Sequence, residues 1–188
     1  MKIQKFQKLA YFGVLISVAL LFIYSLICGS PAYCLRPYAP YVKVTGFVYK
    51  NFLAAFNSFN MTVLYLAIVG FICFALFAIY NQGNRKIFYL SNFIVPIIFA
   101  VYSVVVAILL LPNIISFSSS YTEYINAIDM NKVPSYVSMM WLPDTSFVIV
   151  IGILPIVLLL AASVSNIIIA VKKYLKQKRE NELVKEAE

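Results

Sequence analysis

Asn81-Gln82-Gly83-Asn84-Arg85-Lys86 is a short polar turn near the middle of a 188-residue chain, and its surroundings decide the fold. On either side lie apolar runs too long and too poor in charge for a soluble domain. The turn divides the sequence into two halves, each reading as helix, polar-aromatic loop, helix. The expected fold is all-α, a polytopic membrane protein of four transmembrane helices in a bundle. Short amphipathic helices are expected in its two outer loops.

Composition points the same way. Hydrophobic residues make up 63% of the chain and charged residues 12%, where a soluble domain carries about 25% charge. Mean hydropathy is +0.90, and the length suits a single membrane domain over residues 1–188. The net charge of +8 sits in short segments flanking the apolar runs. There it orients helices and meets anionic lipid, so no nucleic-acid partner is expected. The chain has no histidine, which excludes His-ligated haem, a Ser-His-Asp triad and His-containing zinc sites. Cys28, Cys34 and Cys73 are too scattered for a cysteine-only cluster. No catalytic residue, cofactor or metal is expected.

Outward from the turn, residues 61–80 read as the second span and 87–111 as the third. The first, 9–28, runs twenty residues without a charge, and a spanning helix needs about 20. A signal peptide is the rival reading, but the run is longer than a usual signal core. The fourth span covers about 146–171, and a basic tail follows at 172–188. Pro96 and Pro155 lie in the third and fourth spans, where proline removes a backbone donor and bends the helix. In the fourth, Gly152, Pro155, Ala162, Ser163, Ser165 and Asn166 form a small, weakly polar set. That set reads either as a helix-packing face or as the lining of a narrow pore.

The outer loops are expected at about 29–60 and 112–145. Pro31, Pro37 and Pro40 rule out continuous helix early in the first. Cys28 and Cys34 are a candidate disulfide if that side is oxidising, and two separate thiols otherwise. From Phe47 the pattern turns helical, with Val48, Phe52, Phe56 and Phe59 on one face of a segment that either lies at the interface or extends the second span. In the second loop, Ser120-Tyr121-Thr122-Glu123 is a capping-box pattern opening a short amphipathic helix. Tyr121, Tyr124, Ile125 and Ile128 share one face of it. The stripes Phe47, Phe52, Phe56, Phe59 and Tyr121, Tyr124, Ile125, Ile128 are the candidate partner-binding surfaces. Trp141 and Tyr136 read as interfacial anchors.

Eleven Lys and Arg fall in the N-terminal segment, the central turn and the tail, while the outer loops hold only Arg36, Lys43, Lys50 and Lys132. The positive-inside rule therefore places both termini in the cytoplasm, with the cell membrane as the expected location. No Asp, Glu, Lys or Arg lies inside a proposed span, and proton pumps, voltage sensors and many ion-coupled carriers place such groups there. The leading expectation is a non-enzymatic structural or accessory subunit of a larger membrane complex. Its partners would be the lipid bilayer and other membrane subunits, or copies of itself. The alternative is a homo-oligomeric channel or small pore, or a membrane component of a transporter.

Overall fold

The computed structural model describes residues 2–27, 35–43, 46–81 and 94–186. Its long helices are α1 (Lys2–Ile27), α2 (Gly46–Asn81), α3 (Val95–Asn126) and α5 (Thr145–Glu186), with a one-turn α4 (Ser135–Ser138). Short 3-10 segments cover Arg36–Tyr41 and Met130–Lys132. Among the described residues there is no strand, and Val42 and Ile128 form one isolated antiparallel bridge. Four helices are long and apolar enough to cross a membrane, through Phe6–Leu26, Asn51–Ala75, Val95–Asn126 and Thr145–Leu175.

Named contacts fix the helix directions. Gly13 of α1 meets Ala162 of α5, and Tyr24 of α1 meets Gly152, so α1 and α5 run antiparallel. Phe59 of α2 stacks on Phe117 of α3, while Tyr102 reaches Leu66 farther along, so these two also oppose. Ser163 bonds Phe99, and Thr122 bonds Thr145, which makes α3 and α5 antiparallel as well. Each helix thus packs on two neighbours, and the contact between α2 and α3 is the thinnest of the four. Val14, Val18, Leu21, Phe56, Val63, Phe99, Val106, Leu110, Ile156 and Leu159 share one continuous core.

The helices are longer than hydropathy alone suggested. α2 is unbroken over 36 residues, about 54 Å of helix, so the segment leading into the second span extends it. α3 passes through Pro112 to Asn126. The separate amphipathic helix expected at Ser120 is therefore the end of α3, and the capping-box residues lie inside a helix. Around Pro112, the Asn113 Nδ2 donates to the Leu109 carbonyl at 2.6 Å. That carbonyl is one residue beyond the Ile108 carbonyl, which Pro112 leaves without its helical donor. The central turn beyond Asn81, and the Cys28–Cys34 pair, lie outside the described residues.

Candidate functional site

The two aromatic stripes face each other. On α2 Phe52, Phe56 and Phe59 project toward α3, where Phe117, Tyr121 and Tyr124 fall four and three apart. Phe52 stacks on Tyr124 with centroids 5.6 Å apart, and Phe59 on Phe117 at 5.2 Å. Phe56 lies edge-on to Phe117 at 5.7 Å and stacks with Tyr121 at 6.4 Å. Such pairs add about 0.5–1.5 kcal/mol each beyond area burial. Of the rings expected to meet a partner, Phe56, Phe59, Tyr121 and Tyr124 are buried within the chain and Phe52 is half-buried. Ile128 is also buried, Ile125 is half-buried, and the side chain of Phe47 lies outside the described set. Phe117 was not among the expected residues, although its spacing to Tyr121 and Tyr124 puts it on the same helical face.

Tyrosine hydroxyls join the two outer segments above this cluster. The Tyr124 hydroxyl donates to the Leu35 carbonyl at 3.0 Å, and that of Tyr121 to the Pro143 carbonyl at 2.7 Å. The Tyr38 hydroxyl lies 2.9 Å from the Val137 carbonyl and 2.8 Å from that of Met140, sharing one proton between them. Burial pushes the Tyr38 phenol above its ordinary value, which extends its range as a donor further into alkaline pH. Burial, and then the neighbouring Tyr136, do the same to Tyr41. Backbone bonds from Lys43 to the Ala127 carbonyl and from Asp129 to the Tyr41 carbonyl close the seam at 2.9 and 2.8 Å. The Asp129 carboxylate sits between Lys43 and Lys132 at 3.6 and 3.7 Å. These groups brace a cap; each polar atom named is engaged in holding one segment to another.

The polar residues of α5 divide between two sides of the helix. Gly152, Pro155, Ala162, Ser163 and Asn166 face inward, and Ser165 is exposed, bonding the Ala161 carbonyl at 2.8 Å. The Ser163 hydroxyl donates to the Phe99 carbonyl of α3 at 3.2 Å. A Cβ on Gly152 would stand 3.2 Å from Tyr24 and from Ile114, and one on Gly13 3.1 Å from Ala162. The set therefore packs α5 against α1 and α3, apart from Ser165. Asn166 is only 2% exposed, and neither of its amide atoms has a hydrogen-bond partner among the described residues. The Asn60 side-chain oxygen shares that condition.

Apolar side chains also stand outward at the cap, among exposed polar ones such as Lys132, Ser135 and Ser138. Met139 is 85% exposed, with exposed Tyr136, Met140 and Trp141 close to it in sequence and exposed Met130 nine residues earlier. Trp141 packs edge-on to Phe147, at the start of α5, with centroids 5.3 Å apart. Among the described residues no three His, Cys, Asp or Glu side chains are grouped to hold a metal ion.

No protein-family model, curated protein or solved structure matches the chain. Its class rests on the architecture: an all-helical chain whose four apolar helices are compatible with an integral membrane protein.

Proposed function

We propose that this protein is a non-enzymatic structural or accessory subunit of a larger membrane assembly, built as a four-helix transmembrane bundle. The observation that carries this reading is the exposed apolar lip Met130, Tyr136, Met139, Met140 and Trp141. It stands on a cap that five tyrosine and threonine hydroxyls hold in place. A rigid, apolar, aromatic lip is the composition found at the centre of protein interfaces. The lipid-facing sides of the helices add contact area, where packing rather than hydrophobic drive holds helices together. The partner is another membrane subunit, and the basic residues favour the cell membrane with the Lys-rich end cytoplasmic. Burial of Ser163 and Asn166 weighs against a pore walled by α5 between copies.

The test is a native mass spectrum of tagged protein extracted gently from its own membrane, run beside Met139→Ser/Trp141→Ser. A heteromeric complex of fixed stoichiometry that the double variant loses is the expected result. A ring of copies alone would overturn it.

A further inference from the structure

The register that joins α1 to α5 gathers two basic segments at one end of the packed helices. The Lys173 ammonium donates to the Gln7 side-chain oxygen, and Gln7 Nε2 donates in turn to the Tyr11 hydroxyl at 3.0 Å. Residues Lys2, Lys5 and Lys8 of α1 therefore share this end with Lys172, Lys173, Lys176, Lys178 and Arg179 of α5. The sequence has no acid between residues 1 and 122, nor between 145 and 179. Glu123, Asp129 and Asp144 belong to the opposite end, and Glu180 begins the part of α5 that leads away.

The cations of α5 are also arranged by face and depth. Lys172, Lys176 and Arg179 fall four and three apart, so they share one side of the helix. Lys172 and Arg179 are exposed while Asn166 and Ala170 are buried, so that side turns away from the core. The span Thr145–Leu175 has 31 residues, about 46 Å of helix, against about 30 Å of hydrocarbon and 40–45 Å with headgroups. Centred there, Lys172 falls in the headgroup layer and Arg179 just beyond it. Helical side chains lean toward the helix N-terminus, so both lean back toward the bilayer. Lys8, exposed on the antiparallel α1, leans outward toward the same layer.

We propose that this end of the protein is a binding surface for anionic phospholipid headgroups, seated on the side of α5 that carries Lys172, Lys176 and Arg179. A phosphodiester accepts charge-assisted hydrogen bonds from ammonium groups and two at once from a guanidinium. A headgroup with net negative charge gains from every neighbouring cation, whereas the choline of a zwitterionic lipid cancels that gain. The Lys173–Gln7–Tyr11 chain joins the two basic helices at this end.

The experiment places the full chain in nanodiscs holding equal phosphatidylglycerol and phosphatidylcholine, and reads the lipids retained in a native mass spectrum. The glycerol lipid should be enriched, and Lys172→Gln/Lys176→Gln/Arg179→Gln should lower that enrichment about tenfold or more. Lys43→Gln/Lys132→Gln, at the opposite end, should leave it unchanged. In the unaltered protein, raising salt from about 0.1 M to about 1 M shortens the screening length from about 10 to about 3 Å and should erase most of the preference. Equal retention of both lipids, or enrichment untouched by the triple substitution, would overturn the proposal. Displacement by inorganic phosphate beyond that by chloride at matched ionic strength would overturn it too, marking a site for free phosphate.

Discussion

The hydroxyl of Tyr102 on α3 donates to the carbonyl of Leu66 on α2 at 2.7 Å, and its ring passes directly over Gly70. This is the tightest point of the thinnest helix pair. A Cβ at Gly70 would lie 2.9 Å from the Tyr102 Cζ and 2.9 Å from a methyl of Val18, with the Tyr102 hydroxyl nearer still. Val18 is fully buried and the Tyr102 hydroxyl is tied to Leu66, so the side chains or α2 itself must shift. Gly70→Ala should destabilise by about 1–3 kcal/mol, and Tyr102→Phe, which loses only the hydrogen bond, by about 0.5–1.5 kcal/mol. Thermal unfolding in detergent checks the order; an alanine variant as stable as the parent would show that α2 and α3 separate at this point.

Asn166 gives a prediction of opposite sign. Its amide is buried with no partner for either polar atom among the described residues, and such burial costs about 1–3 kcal/mol by mutational measures. Asn166→Leu, which keeps the branched heavy-atom skeleton but is larger, should leave stability unchanged or raise it by up to that amount where the site accepts the added volume. Ser163→Ala should lower it slightly, by about 0.5–1.5 kcal/mol, because its hydroxyl is bonded to Phe99. A marked loss of stability in Asn166→Leu would mean that the amide is satisfied in the membrane-embedded protein.

The apolar runs were legible because hydropathy is local: each twenty-residue stretch announces itself without reference to the others. The ends of the helices were not. Pro112 reads as a loop start, yet α3 continues through it to Asn126, where Phe117, Tyr121 and Tyr124 pack on α2. Asn113, Ser118, Ser119 and Thr122 turn their side chains back to carbonyls three or four residues earlier. The aromatic stripes were visible as faces, but which face meets which depends on contacts about sixty residues apart. In α5 the small residues were visible as a set, while the 3.6-residue repeat turns Ser165 away from Ser163 and Asn166.

Phe117 is where that gap matters for energetics. It touches Phe52, Phe56 and Phe59 at once. Phe117→Ala should cost about 3–5 kcal/mol, well above the cost of Ile115→Ala on the exposed side of the same helix. Thermal unfolding of the two variants decides it. Equal, small losses would show that the α2–α3 aromatic cluster contributes little.

The cap should fail at alkaline pH and not before. Burial raises the Tyr38 phenol above its ordinary 10.0, so the folded state binds the proton more tightly than the unfolded state. Stabilisation from this group is therefore complete below pH 10.0 and is lost as pH climbs through the raised value. Ionisation would also set a phenolate against the Val137 and Met140 carbonyls, which offer lone pairs and no donor. Trp141, one residue beyond Met140, reports the change: its emission should hold steady from pH 6 to about 9 and shift above about 10. In Tyr38→Phe the neutral-pH stability falls by about 0.5–1.5 kcal/mol, and the part of the alkaline step due to Tyr38 disappears. If the step survives that substitution at full size, another phenol controls the cap, and Tyr121, held to the Pro143 carbonyl, becomes the next to replace.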